Sequence, residues 1–408
     1  MKATMVIPSY WSRESFKEWN MYDEIYDHPT PLDQEGTLLR TLQSIQILKD
    51  KDFQLVVIVA PTSDDIEQEA TEKVMGIVQS ASIGVDSIVF GPSHLNKIHE
   101  ILTSQGKGEF ADILSLKGYS NIRNLCLFIP NILDSDIAVL IDDDEVFEDV
   151  DFILKAREFI STECNGQRVN AVAGYYLQTD GDYHIRKTTK PWMKHWGQYD
   201  RMNEAFDMVI GSEPRLKETP FVFGGNMVIH RNLFSRVPFD PGITRGEDID
   251  YLINAKMFGF TFFLDNQLSI KHLPPPKTHP TWLQLRQDIY RFIYERAKIE
   301  NQKEIKGMTR VYAEDFNPYP GYFLKGNLEE NIATSCQLLS QEYLDQGDKR
   351  GSEEALRNIT LAKTQTVTIK DSFRKFCQLQ DIWQKLMECT DKREVRLKIL
   401  EIVQGGIK

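Results

Sequence analysis

Apolar positions fall into two rhythms along the first half of the chain. Near-continuous apolar runs at Ala3–Ile7, Gln54–Ala60, Ser87–Phe90 and Ile137–Ile141 predict short strands, covered on both faces. Between them the spacing turns helical. Leu38, Leu39, Leu42, Ile45 and Leu48 share one face of a helix predicted over Gly36–Leu48. Further helices are predicted over about 66–80 and over Asn121–Leu133. Strand–helix alternation of this kind implies a mostly parallel sheet with right-handed crossovers, so the fold class is α/β.

The rhythm changes between about 170 and 275. Ala171–Leu177, Phe221–His230 and Phe260–Leu264 read as strands, with a helix over Asp248–Phe258. Lys187–Pro220, rich in Trp, Met, Lys and Glu, reads as a loop or small helices over a cleft. After Pro274, Pro275 and Pro276 the pattern is helical. Trp282, Leu285, Ile289, Phe292 and Ile293 form one apolar stripe, and helices are predicted over about 327–346, 352–366 and 371–404. This divides the chain into 1–275, with halves at about 1–150 and 151–275, and a helical region 276–408.

Composition narrows the function. The 408 residues carry 60 acidic against 48 basic side chains, a net charge of −12. A nucleic-acid binder needs clustered Lys and Arg, so that class is disfavoured. Mean hydropathy is −0.38, and no apolar run approaches the roughly 18 residues that suggest a membrane helix. The opening residues, with a short apolar run before Pro8, do not read as a secretory signal. Five scattered cysteines without a CxxC pair suit a reduced, cytoplasmic compartment.

The sharpest chemical feature is Asp142-Asp143-Asp144-Glu145, directly after an apolar strand. In extended backbone Asp142 and Asp144 point to one side, where they can grip a hard divalent ion and a diphosphate. Alone, the same run also suits a solvated acidic turn. Gly224-Gly225-Asn226-Met227 is a turn where backbone can approach a ligand closely. Glu247-Asp248 opens a helix, which suits either capping or a general base. His272, after a strand and before the prolines, is a candidate metal ligand.

Taken in order, these pieces resemble the GT-A fold glycosyltransferases, most closely the family 2 group. The strings that carry the resemblance are Val6-Ile7-Pro8-Ser9-Tyr10, Asn121-Ile122-Arg123-Asn124, the Asp triplet, the Gly-Gly turn, Glu247-Asp248 and His272, spanning about residues 3–275. The resemblance implies a metal-dependent transfer of a sugar from a UDP- or GDP-linked donor to an acceptor hydroxyl, with Mn2+ or Mg2+. Asp144 and His272 would hold the metal. Asp142 would meet ribose or the metal's water shell, and Arg123 the diphosphate or the second carboxylate of the motif. Pro8, Ser9 and Tyr10 would border base and ribose, with Asp143 and Gly225 completing the donor set. Asp248, beside Glu247, would deprotonate the acceptor if the reaction inverts.

Two departures stand out. The place of the family's base-binding Asp reads Ala60-Pro61-Thr62-Ser63, which passes recognition of the base to Thr62 or Ser63. A long insert, Trp11–Gly36, carries Trp11, Trp19, Tyr22 and Tyr26, expected mainly as local packing; Arg13 and Lys17 lie within reach of a donor phosphate. On the acceptor side stand Trp192, His195, Trp196 and Tyr199, with Lys187, Lys190 and Lys194 as a solvated basic loop. The acceptor would be a sugar, a glycerate-like molecule or a glycolipid headgroup. Arg286, Arg291, Arg296 and Lys298 read as snorkelling surface charge, and the C-terminal helices as a candidate for self-association. Two further readings remain open: a sugar nucleotidyltransferase, although 8–17 lacks the glycines its phosphate loop needs, and a non-catalytic nucleotide-sugar or glycan-binding module.

Overall fold

The strand–helix alternation is realised as one sheet between two helical layers. The structure is a computed structural model and describes residues 1–17, 23–186, 190–276 and 279–405. From edge to edge the sheet runs Leu216–Glu218, Phe263–His272, Ala171–Leu177, Met227–His230, Ile137–Leu140, Ala3–Ser12, Phe53–Pro61 and Ser87–Phe90. Two short strands complete it, Thr30–Pro31 beside Ala3–Ser12 and Glu145–Val146 beside Phe263–His272. The last four strands of the edge-to-edge order are parallel, as their two-sided apolar runs predict. Met227–His230 runs antiparallel to both neighbours, so the sheet is mixed. Alternate residues feed opposite faces: Val6, Val56 and Ile58 enter one core and Met5, Ile7 and Val57 the other.

Several predicted boundaries move, each for a local reason. The helix predicted over Gly36–Leu48 is Leu38–Ser44 followed by a 3-10 turn, Ile45–Ile47. The strand predicted over Phe221–His230 is only Met227–His230. Upstream of it, Asn226 turns its amide to the carbonyls of Tyr175 (3.2 Å) and Leu268 (3.1 Å) and ends the ladder. The strand predicted over Phe260–Leu264 is Phe263–His272. Its polar middle, Asp265-Asn266-Gln267, hid the continuation, and the register shifts between Leu264 and Ser269. Asp265 is nevertheless buried, held by Arg215 through two hydrogen bonds of 2.8 Å. Lys187–Pro220 is not mainly loop: its described part holds helices Pro191–Trp196 and Gln198–Val209 and strand Leu216–Glu218. The last predicted helix is two, Ser372–Thr390 and Arg393–Gln404.

The core runs on past residue 275. Phe292, Phe323, Trp383 and Ile399 belong to the same cluster as Val6 and Ile122. Trp383 donates its indole hydrogen to the Phe234 carbonyl (2.9 Å). The basic residues of helix Thr281–Glu300, expected to be surface charge, are largely buried and paired. Lys298 meets Asp240 and Asp250 at 2.7 Å each. Arg296 pairs with Glu329, and Arg286 bonds Glu354 (2.6 Å) and Asn358 (2.7 Å). Lys298 faces the sheet region because Asp240 and Asp250, themselves buried, require a cation, whereas Arg286 and Arg296 turn to the C-terminal helices. Among the described residues no helix is long and apolar enough to cross a membrane.

Lys298→Met should therefore lower the unfolding free energy by about 3–5 kcal/mol at pH 7, because it leaves buried carboxylates uncompensated. Burial and the neighbouring Asp240 already hold the Asp250 carboxyl above the usual carboxylate range, against the pull of Lys298. A carboxyl raised in the folded state favours folding at low pH and disfavours it as pH rises. The deficit of the variant should accordingly shrink toward pH 5, as read by urea unfolding at both pH values.

Candidate active site

All strands that carry candidate chemistry deliver it to one edge of the sheet. Ala3–Ser12 ends past Tyr10, Ile137–Leu140 ends at the Asp triplet, and Phe263–His272 ends at His272. Met227–His230 runs the other way, so its beginning, not its end, lies there and brings Gly224 and Gly225 to the same edge. Carboxyl ends of strands are where α/β sheets place ligands. A cavity of about 750 Å³ opens at this edge. Tyr10, Arg123, Asp142, Asp143, Asp144, Glu247, Asp248 and His272 line it, so eight of the candidate site residues converge.

The acidic turn is tightly held. Asp142 N–H donates to the Glu145 carboxylate (3.0 Å), and the Ser9 hydroxyl to Asp143 (2.7 Å). The Thr41 hydroxyl donates to the Asp143 carbonyl (2.7 Å). Asp144 faces His272 Nε2 at 3.3 Å. A two-residue ladder fixes this meeting, with His272 opposite Glu145 and Lys271 opposite Val146. Tyr176 stacks on the His272 ring, centroids 4.6 Å apart. Burial pushes the Asp143 and Glu145 carboxyls far up, reinforced by neighbouring Asp charges. Asp144 goes the other way: burial raises it, but His272 holds it below its ordinary value. Glu145 Oε1 is buried with no hydrogen-bond partner among the described residues.

Among the described residues no group of three or more His, Cys, Asp and Glu is arranged to enclose a metal by itself. Asp144 and His272 fit as part of a coordination sphere: one carboxylate oxygen and one imidazole nitrogen can hold a divalent ion such as Mn2+ when further ligands complete it. Oxygens of a diphosphate and water would supply the remainder, and the crowded carboxylates around the pair favour a cation there.

Arg123 joins the two acidic halves. Its guanidinium, 3% exposed, bonds Asp142 (2.7 Å) and Glu247 (3.2 Å), leaving Nη1 without a hydrogen-bond partner among the described residues. It thus holds the first carboxylate of the triplet. Asp248 accepts from Gly224 N–H (3.1 Å) and from Ile249 N–H (2.8 Å). Burial raises both Glu247 and Asp248, partly offset by Arg123 for the first and Arg291 for the second. Gly225 roofs the acidic turn. A methyl group there would lie 2.1 Å from Glu145 Oε1 and 2.7 Å from Asp142 Cγ, so only glycine fits.

Other candidates stand elsewhere. Pro8, Ser9, Thr62 and Gly225 are absent from the cavity lining; Pro8 and Thr62 are buried, and Ser9 acts through Asp143. Arg13 is taken up by Asp23, Ser63 and Asp65, and Lys17 by Glu14 (2.7 Å), so neither points to a donor phosphate. Trp11 and Tyr26 are packed inside; Trp19, Tyr22 and Lys187 lie outside the described residues. Tyr10, Tyr26 and Tyr119 form a ring cluster with centroids 4.5–5.2 Å apart. Trp192, Trp196, Tyr199 and Lys190 line the cavity, whereas His195 and Lys194 are exposed and outside its lining. Tyr176 and Arg245, also lining residues, escaped the sequence reading, and Arg291, read there as surface charge, lines the cavity too. The available signal was a charged residue inside an apolar stripe: Arg291 falls between Ile289 and Phe292.

No protein-family model matches the chain, and no curated protein matches its sequence. Solved structures do. One is the mannosyltransferase PcManGT from Pyrobaculum calidifontis in complex with GDP-Man and Mn2+, at 12% identity and TM-score 0.49, over 96% of this chain and 88% of that one. A second is a mycobacterial protein, at 16% identity and TM-score 0.41, over 72% and 74%. A third is GalNAc-T7 with UDP, GalNAc and Mn2+, at 10% identity and TM-score 0.38, over 81% and 56%.

Gly225→Ala should cost about 1–3 kcal/mol through overpacking. Thermal unfolding should record the loss, while Gly326→Ala, at a glycine with nothing within 4 Å and no left-handed backbone, serves as the uncrowded control.

Proposed function

We propose that the chain is a metal-dependent glycosyltransferase that moves a sugar from a UDP- or GDP-linked donor to a hydroxyl of a soluble or headgroup-sized acceptor, with inversion. The observation that carries this reading is the sharing of one cavity by Asp142–Asp144, His272, Arg123 and Glu247-Asp248. On this reading the bond from the anomeric carbon to the donor phosphate breaks as the acceptor oxygen attacks. Asp248 takes the hydroxyl proton, for which a carboxyl raised by burial is suited. Arg123 lies beside the departing diphosphate and stabilises its developing charge. A divalent ion at Asp144 and His272 would add Lewis-acid stabilisation of the same leaving group.

The same proposal assigns 1–150 to the donor, 151–275 to the acceptor and 276–408 to support, with self-association through the C-terminal helices. Tyr199, half-buried in the cavity wall, supports an acceptor with a stacking face, while Trp192 and Trp196 are buried behind it. The five cysteines are free, which supports a cytoplasmic setting.

Incubation with UDP- and GDP-sugars, with and without Mn2+, should release nucleoside diphosphate from one donor in a metal-dependent way. Asp144→Ala and His272→Ala should each lower that rate by about a hundredfold or more. Release of pyrophosphate instead would favour a nucleotidyltransferase. Binding of a nucleotide sugar without turnover would favour a non-catalytic module.

A further inference from the structure

A second cavity, of about 500 Å³, shares its walls with the first. Neighbouring residues of the same elements line the two. At the start of helix Tyr119–Ile132, Tyr119 lines the first and Ser120 the second. In the loop before Glu247, Arg245 lines the first and Thr244 the second. On helix Thr281–Glu300, Asp288 lines the first and Gln287 the second. The Ser120 hydroxyl donates to the Ile243 carbonyl at 2.9 Å, which ties two of these shared elements together. The C-terminal helix Lys349–Thr368 adds Gln365 to the lining of the second cavity.

The charges in that lining, two acidic and two basic among the described residues, cancel. Three of them are already engaged. Asp23 is held by Arg13, and Lys117 pairs with Asp64 at 2.8 Å. Arg286 bonds Glu354 (2.6 Å) and Asn358 (2.7 Å). The fourth, Glu24, is half-buried, and desolvation raises its carboxyl above the ordinary value. The uncommitted groups are neutral. The side-chain amides of Gln287 and Gln365 and the Tyr290 hydroxyl have no hydrogen-bond partner among the described residues. Beside them stand apolar surfaces: Ile25, Pro241, Ile243, Leu283 and the ring of Tyr290.

We propose that this second cavity binds an uncharged saccharide, through the amides of Gln287 and Gln365 and the ring and hydroxyl of Tyr290. A sugar ring presents apolar C–H faces edged by hydroxyls. A glutamine amide offers a donor and an acceptor side by side, as two adjacent hydroxyls require. A tyrosine ring covers the apolar face while its hydroxyl reaches the rim. The volume lies in the range of roughly 300–1,000 Å³ usual for small-molecule sites. An anion would find no spare cation among the described lining residues, and a wholly apolar ligand would strand the amides and the hydroxyl. The saccharide comes from one of two sources, the far end of an acceptor held in the first cavity or a free effector. Binding itself does not depend on the transferase reading.

Saturation-transfer NMR on the full chain, with uncharged mannobiose, maltotriose and cellobiose as probes, reads binding without turnover. At least one probe should give a signal. Gln287→Ala and Gln365→Ala should each weaken its Kd by about five- to tenfold, as loss of one hydrogen bond does. Both glutamines are only half-buried, so these variants should unfold at the parent's midpoint. No signal from any probe overturns the inference. So does a preference for glucuronate over every neutral sugar. A signal that survives loss of both glutamines and falls with Tyr199→Ala places the sugar in the first cavity alone, which overturns it equally. With the donor found above, Gln287→Ala should raise KM for acceptors longer than one sugar if the ligand is the acceptor's far end. If it is an effector, a free saccharide should change kcat of the parent and not of Gln287→Ala. Binding in a protein that turns over no donor would retain the site and discard the enzyme reading.

Discussion

One buried guanidinium stands between two acidic elements that are far apart in sequence. Arg123 bonds Asp142 at the end of a central strand and Glu247 at the start of a helix, and it is itself buried. Desolvation in such a place makes each unpaired charge expensive, so the positions of strand, helix and arginine are mutually fixed. Helix Tyr119–Ile132, almost wholly buried, is the rigid mount that makes this feasible. Its Asn124 also locks the chain near Phe239, donating to that residue's carbonyl and accepting from its N–H.

The C-terminal helices extend the same electrostatic logic outward. The sheet region buries more carboxylates than it can neutralise alone, with Asp240 and Asp250 both drawn inside and Asp248 half-buried at the cavity. Helix Thr281–Glu300 answers with Lys298 and Arg291, so the two regions share counter-charges as well as apolar area. A region outside the recognisable pattern thereby becomes part of the electrostatics of the cavity.

Much of this was legible in the sequence because it rests on local runs. Strands with two apolar faces announce themselves, the Asp triplet follows one, the Gly-Gly turn and His272 adjoin other strands, and the Glu-Asp pair opens a helix. The illegible parts depend on distant partners. Asp265-Asn266-Gln267 looks like a strand break until Arg215 is seen to neutralise Asp265. Arg13 looks available for phosphate until Asp23 and Asp65 close around it. Arg291 and Lys298 look solvent-seeking because a charged helix residue usually is, and only the tertiary arrangement reveals the acids facing them. Thr62 and Ser63 lie outside the cavity lining, and a hydroxyl in such a stretch does not announce which way its loop turns.

The two-residue ladder between Glu145–Val146 and Lys271–His272 sets different rules for change in different parts of the chain. Distance between the Asp144 and His272 donors is written in strand register, and side chains alternate sides at every residue. Gain of a single residue between Leu264 and His272 would bring Lys271 toward the place of His272 and exchange a donor for a cation, and loss of one would bring Leu273 there instead. The segment around Pro191–Val209, built of helices over the cavity rather than ladder partners, carries no such arithmetic. The molecule can therefore vary the helical wall of the cavity while the wall that carries Asp144 and His272 stays frozen, a division of evolutionary freedom built into hydrogen-bond geometry.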